Sequence, residues 1–285
     1  MMAYVEFLRV RTRLLWFAAI LAACALFIAV SAHGGGVHVR VGNGGADVTG
    51  VLGDDDASGA ATGANHGTSN LAAALGAIPG DALLVAAGLL TLIFGSIVGP
   101  SLNREWDTLD FAWTQPLSRT RLALAYMSVD AGGIACAFVL ALAFAFVPLS
   151  AAGLLGSVVV QRDALEVALV GLGSAFMWYA LLQAASSWYA GRAGGLAQGL
   201  SWAAFTLLLG LGQTEQFGPL FHALLLALNF VNPLAYLSAL TIHQNGTVTE
   251  NAILPVGLGL RVLLVWAIGL AACALALAGW KRLEV

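Results

Sequence analysis

Apolar positions along this chain fall into long blocks broken by brief polar interruptions, with no sustained alternation of the kind a strand would give. Six blocks, at residues 14–32, 82–98, 122–147, 167–190, 193–212 and 262–280, match the length of about 20 mainly apolar residues needed to cross the hydrocarbon core of a bilayer. A seventh, at 220–240, is long enough but carries His222, Asn229, Asn232 and Pro233. Proline lacks an amide donor and clashes with the preceding turn, so the Asn-Pro pair predicts a break in that helix. Two further segments are amphipathic. Near the N-terminus, Tyr4, Phe7, Leu8, Leu14 and Leu15 lie towards one helical face, with Glu6, Arg9 and Arg13 towards the other. This predicts an interfacial helix over residues 1–13, before the chain turns into its first span. Between the second and third spans, Leu102, Trp106, Leu109 and Trp113 recur at i, i+4, i+7 and i+11, a stripe along three helical turns.

Composition sharpens the fold class. Only 9% of the 285 residues are charged while 60% are hydrophobic, and mean hydropathy is +0.87. Soluble domains carry about 25% charged residues, so a soluble globular enzyme is excluded, and so is a disordered chain. The net charge of −3 and the single lysine, Lys281, leave no basic stripe for phosphates, which excludes a nucleic-acid partner. Cys24, Cys136 and Cys273 sit inside apolar runs without disulfide or zinc spacing and read as small core hydrophobes. The sequence describes an all-α integral membrane protein, a single transmembrane domain over residues 1–285.

Charge then sets the topology. Arg9, Arg11 and Arg13 precede the first span, and Lys281 and Arg282 follow the last. The positive-inside rule puts both ends in the cytoplasm and requires an even number of crossings. Six transmembrane helices place Arg104, Arg119, Arg121 and Arg192 inside as well, nine of the twelve basic residues in all. Outside remain Arg40, Arg162 and, at the edge of the last span, Arg261. The chain is thus read as a multi-pass protein of the cytoplasmic (inner) membrane. Its extracytoplasmic loop covers residues 33–81 and its cytoplasmic loop residues 100–121. The extracytoplasmic segment 213–257 holds stretch 220–240 as a re-entrant or interfacial hairpin. Val30-Ser31-Ala32 is similar to a signal-peptidase site, but the first apolar run is too long for a cleaved leader and reads as a signal anchor.

The loop 33–81 holds His33, His38 and His66 with Asp47, Asp54, Asp55 and Asp56, in spacings that match no metal motif; it reads as a solvated, lightly structured Gly-rich loop. The loop 100–121 is more informative. Simple chain reversal needs about 2–8 residues, yet this connection carries an amphipathic helix and six charges. Arg104, Asp107, Thr108 and Phe111 occupy much of the side away from the Leu/Trp stripe, with Glu105 and Asp110 flanking. Gly99-Pro100 punctuates the start, Gln115-Pro116 ends it, and Ser118 is placed to cap the next helix. One reading is a helix that floats at the interface; the other is a helix presented to a soluble partner.

The run Asn103-Arg104-Glu105-Trp106-Asp107-Thr108-Leu109, followed by Thr114-Gln115-Pro116-Leu117-Ser118-Arg119, resembles the cytoplasmic loop of type-2 ATP-binding-cassette (ABC) transporter permeases. Asp107 stands where that family usually has glycine. Asn232-Pro233-Leu234-Ala235-Tyr236-Leu237 is similar to the Asn-Pro segment between the family's fifth and sixth spans. The resemblance implies a permease subunit that couples through Leu102, Arg104, Glu105, Trp106, Asp107, Thr108, Leu109, Asp110 and Trp113 to a separate ABC ATPase, paired with a second permease copy or a homologous permease. ATP and Mg belong on that ATPase partner. The residues agree that this chain supplies no nucleotide site, since a P-loop needs a Gly-x-x-x-x-Gly-Lys run and Lys281 stands in none. No cofactor or metal is therefore expected here, and no catalysis by the chain alone.

Within the spans, Asp130 lies about two turns into the third block. A charged group at bilayer centre costs on the order of 2.5–3.5 kcal/mol, so Asp130 reads either as a cavity-lining or inter-subunit group or as a satisfied carboxylate near the interface. Asn232 and Pro233 join it as candidate cavity or inter-subunit positions. Glu166 and Arg261 read as headgroup anchors, Gln183, Ser186 and Ser187 as interhelical hydrogen-bonding groups, and Gly132-Gly133 and Gly194-Gly195 as close-packing positions. Two competing functions are weighed. A non-transporting membrane anchor needs no amphipathic cytoplasmic helix, and an intramembrane enzyme needs a paired nucleophile and base or a ligand set, which Asp130, His222 and His243 do not form by spacing.

Overall fold

The structure is a computed structural model that describes residues 2–34, 39–42, 45–48, 78–98, 118–151, 155–159, 162–186, 193–212, 219–238, 254 and 256–282. Among these residues it is almost wholly helical: α1 (Met2–Gly34), α2 (Gly80–Val98), α3 (Arg119–Ala151), α4 (Ala164–Ser186), α5 (Ala193–Gly212), α6 (Pro219–Asn229), α7 (Pro233–Ser238) and α8 (Leu258–Arg282). Four described stretches are long and apolar enough to cross a membrane: Gly80–Val98, Thr120–Ser150, Ala164–Ala185 and Leu258–Gly279. In α5 the apolar stretch Gly199–Leu209 is shorter. The outer surface is apolar, with Trp16, Val139, Leu263 and Leu275 exposed, while Asp130, Gln183 and Asn232 are fully buried. That inversion of the water-soluble pattern belongs to a membrane-embedded protein.

Helix ends follow local chemistry. Ser118 holds the N-cap of α3, its carbonyl accepting the Leu122 amide at 3.1 Å. The Asp163 carbonyl does the same for Val167 in α4, and the Gly257 carbonyl for Arg261 in α8, both at 3.0 Å. Asp81 in the first turn of α2 and Glu166 in the first turn of α4 set negative charge against the positive end of the helix dipole. In α3, Pro148 removes an amide donor, and the helix ends three residues later at Ala151.

The centre of the bundle is α4, which packs against α2 on one side and α8 on the other, with α3 across α2 and α1 along α3. Small residues make these approaches possible. Gly95 faces the Ala175 carbonyl, Gly173 lies under Val265 and Trp266, and Gly269 lies against Phe176 and Met177. Trp266 also stacks on Phe176 at 5.5 Å and donates its indole N–H to the Leu169 carbonyl at 3.2 Å, fixing α8 to α4. The largest buried side chains, Trp178, Tyr179, Tyr236, Phe94, Leu92, Ile134 and Met177, fill the centre.

Some expectations change. The segments expected to form an interfacial helix and then a separate first span belong to one uninterrupted helix, α1, without a turn between them. Val10 explains the continuity: it is 3% exposed and packs so closely on Gly133 of α3 that a Cβ there would stand 2.5 Å from its Cγ1. The loop 33–81 contains an antiparallel hairpin, β1 (Val39–Gly42) with β2 (Gly45–Val48), in the register Val39↔Val48 to Gly42↔Gly45. A second pairing is parallel, β3 (Ile78–Pro79) with β4 (Val158–Val159), and joins the entrance of α2 to the connection between α3 and α4. Cys24 and Cys136 are exposed on the apolar surface of the bundle, and Cys273 is half-buried, so the first two are not core residues.

Candidate functional site

Polar side chains turned into the bundle gather where α2 ends. Asp130 is wholly buried, about 16 Å along α3 from Arg119 at a rise of about 1.5 Å per residue. The Tyr179 hydroxyl of α4 donates to its Oδ2 at 2.8 Å. Tyr179 is itself fully buried, and Gln183, also fully buried, follows it by one turn on the same face of α4. Tyr126 precedes Asp130 by one turn on α3. A carboxyl and a phenol thus bridge α3 and α4 inside a single chain, and this bond gives Oδ2 of the buried carboxyl a partner.

A second junction is built on Ser96, in the last turn of α2. Its Oγ donates to the Leu92 carbonyl at 3.0 Å and accepts the indole N–H of Trp178 at 2.5 Å and of Trp202 at 3.2 Å. One donation and two acceptances are the full complement of a hydroxyl. Three helices, α2, α4 and α5, therefore meet on one oxygen atom. Trp178 packs edge-on against Trp202 at 5.3 Å and against Phe205 at 5.2 Å, so the rings close around the polar joint. The hydroxyl of Ser96 thus ties its own helix to two others and acts as a joint.

Immediately beyond Ser96, the last turn of α2 is held from the other side. Arg13 of α1 donates Nη1 to the carbonyls of Ile97 at 3.1 Å and Val98 at 3.5 Å. Those carbonyls have no intrahelical partner at a helix C-terminus, and a cation there also complements the dipole.

At the interrupted helix, α6 stops at Asn229 and α7 restarts at Pro233. Asn232 makes the break stable. Its Oδ1 accepts the Leu234 amide at 3.1 Å, an N-cap with proline in the first helical position. Its Nδ2 donates to Asn229 Oδ1 at 3.2 Å and to the Phe205 carbonyl of α5 at 3.1 Å. The Tyr236 hydroxyl donates to the Phe230 carbonyl at 2.9 Å, closing the turn. Asn232 and Pro233 are thus assembled with α5 into one corner of the bundle, on a different set of helices from the Asp130–Tyr179 pair. Arg261, at the start of α8, donates its Nε and Nη2 to the carbonyls of Val256 and Leu254 at 2.8 and 2.9 Å, folding the approach to that helix.

The expected coupling positions in the loop 100–121, Leu102, Arg104, Glu105, Trp106, Asp107, Thr108, Leu109, Asp110 and Trp113, lie outside the described residues, as do Ser187, His38, His66 and His243. Among the described residues there is no group of three or more His, Cys, Asp and Glu side chains able to hold a metal. No family model matches this chain, and no curated protein matches it.

Sequence reasoning reached Asp130 and Asn232 because polar groups in apolar runs stand out. It missed Ser96, Trp178, Trp202, Tyr179 and Arg13 as a connected set. The available signal was the indole and phenol groups inside spans, since a buried Trp or Tyr needs an acceptor for its N–H or O–H.

Proposed function

We propose that this chain is the transmembrane permease subunit of an ATP-driven ABC exporter in the cytoplasmic membrane, coupled to a separate ATPase subunit through residues 100–121. In this reading α1 and α5 join the four long apolar helices to make six crossings, with both ends in the cytoplasm and α6–α7 forming a re-entrant hairpin outside. Two permeases and two ATPases form the working unit, and ATP with Mg is held by the ATPases. The observation that carries the reading is the run from Asn103 to Arg119, whose family-like sequence connects α2 and α3, two helices that pack against each other. A segment so placed starts directly after the turn that carries Ser96 and is held by Arg13, where a force applied from the cytoplasm enters the helix bundle.

The test is biochemical. The purified chain, free of contaminating ATPase, binds and hydrolyses no ATP, and after mild detergent extraction from its native membrane it brings down a P-loop ATPase whose hydrolysis drives flux in proteoliposomes. Nucleotide-specific binding by the lone chain, or a complex without any ATPase, overturns the proposal.

A further inference from the structure

The interrupted helix has two distinct faces. On α6 and the turn after it, Leu225, Asn229 and Asn232 are buried, while Leu220, Leu224, Leu228 and Val231 form a stripe at i, i+4, i+8 and i+11 that is 43% to 86% exposed. Its depth can be read against α2, whose 19 residues rise about 28 Å, close to the hydrocarbon thickness of about 30 Å. Leu237 of α7 is seated on Gly88, midway along α2. Asn232, at the other end of that short helix, bonds the Phe205 carbonyl. Phe205 lies one turn of α5 beyond Trp202, whose indole reaches Ser96 in the last turn of α2. The Asn229–Asn232 turn thus lies between the levels of Gly88 and Ser96, well inside the apolar thickness. Its backbone suits that depth: the amides of Phe230, Val231 and Asn232 donate to the carbonyls of Leu226, Leu228 and Asn229, and the Asn232 side chain is bonded through both its oxygen and its nitrogen. From Trp202 through Phe205, α5 climbs towards the Gly80 end of the bundle, and α6 follows it in the chain and packs against it. The hairpin therefore enters from the Gly80 end.

We infer that α6 is a lipid-binding surface confined to one leaflet: its stripe lies against the acyl chains on the Gly80 side, and the hairpin stops near the middle of the membrane. The 11 residues of α6 rise about 16 Å, roughly half the hydrocarbon core, so a turn at that depth puts the exposed stripe above it among lipid tails. The stripe has no polar group with which to hold water or a headgroup. Association between membrane helices relies on small residues and on polar links across the interface; four branched apolar side chains in a row fit fluid tails better than another helix. The bundle then meets the two leaflets with different outlines. On the Gly80 side α6 adds a helix, about 10 Å across, to the perimeter, and in the other leaflet it adds nothing. This surface goes beyond the permease reading, since a chain with no ATPase partner carries it equally, and its side of entry is fixed by α2 and not by which end faces the cytoplasm.

Power-saturation electron paramagnetic resonance on the lone chain in phosphatidylcholine liposomes tests it. Nitroxides are placed singly at Leu220→Cys, Leu224→Cys, Leu228→Cys and Val231→Cys, with Cys24, Cys136 and Cys273 replaced by alanine. Leu89→Cys and Ile97→Cys, exposed on α2 near its middle and its end, serve as depth references. The ratio of accessibility to oxygen over accessibility to a water-soluble nickel chelate measures immersion in lipid tails. It increases along the stripe, with a depth gain of about 12 Å from Leu220 to Leu228, and at Val231 it matches Leu89 and exceeds Ile97. Equal depth along the stripe, or free access of the nickel chelate at Leu224 and Leu228, places α6 flat at the surface and overturns the inference. Loss of access to both reagents, with spin–spin broadening that disappears on dilution with unlabelled protein, puts a second copy on the stripe and overturns it too. Because only this chain is present, the outcome is the same whether or not an ATPase binds.

Discussion

Gly88 in α2 and Gly171 in α4 lie backbone against backbone: a Cβ placed on Gly88 would stand 2.9 Å from the Cα of Gly171 and equally close to Cδ2 of Leu237. Lipid tails are as apolar as leucine, so helices in a membrane gain little from hiding apolar surface and depend on close contact. The α2–α4 crossing obtains that contact by having no side chain at its nearest point, and α7 is seated over it through Leu237.

Gly88→Ala therefore destabilises the bundle by about 1–3 kcal/mol, the usual cost of overpacking where a backbone atom is the obstacle. Gly132→Ala on α3, where an added Cβ meets nothing within 4 Å, stays within about 0.5 kcal/mol of the parent. Thermal unfolding in detergent compares the two; equal effects contradict the crossing described here.

The Asp130–Tyr179 bond gives a second expectation. Tyr179→Phe removes a donor to a fully buried carboxyl group and costs about 1–3 kcal/mol. Asp130→Asn retains an oxygen that accepts the same hydroxyl and costs less. Unfolding curves of both variants at matched detergent concentration check the order, and an asparagine variant weaker than the phenylalanine one reverses the argument.

Topology is checked by labelling in a cysteine-free background. Cysteines at Ser58 and Asn245 react with an impermeant maleimide from outside intact cells, whereas those at Thr114 and Leu283 react only after permeabilisation. Outside labelling at Leu283 rules out six crossings with both ends in the cytoplasm.

The coupling reading makes Trp106 the residue to truncate. A central aromatic at an interface costs about 2 kcal/mol or more when cut to alanine, and rim contacts usually cost less. Trp106→Ala thus lowers ATPase co-purification or uncouples hydrolysis from flux more than Asp110→Ala does, at matched amounts of inserted protein. Full binding and full transport in both Trp106→Ala and the Glu105→Arg, Asp107→Arg double variant reduce the segment to a spacer.

The parts of this fold that were legible in the sequence are those where a residue opposes its surroundings. Asn232-Pro233 announces the end of α6 because neither residue continues a helix, and the structure breaks there. Ser118 announces the start of α3 because its position suits a cap. The cysteines show the opposite case. Core-facing and lipid-facing positions are both apolar in a membrane helix, so periodicity cannot tell them apart, and Cys24 and Cys136 were assigned to the wrong side. The continuity of α1 was hidden for a related reason: Glu6, Arg9 and Arg13 suggest a polar face, while Val10 between them is seated against Gly133. The Ser96 joint was illegible because its partners lie 82 and 106 residues away, and a small hydroxyl in an apolar run normally bonds its own helix. The β1–β2 hairpin did have a local signal, with Asn43-Gly44 set between Val39, Val41 and Val48 in a two-residue connection.

The parallel pairing of Ile78 with Val158 constrains the order in which the molecule can be assembled. Its two halves are 80 residues apart, with α2 and α3 between them, so it cannot form until the ribosome has released both helices. At a synthesis rate of about 5–20 residues per second, that is a wait of about 4–16 s. The glycine crossing with α4 comes later still. During this interval Gly88 of α2 has none of α4 against it. The nascent chain therefore passes through a stage in which α2 must be kept by the insertion machinery, or by α1 through Arg13, until its partner arrives.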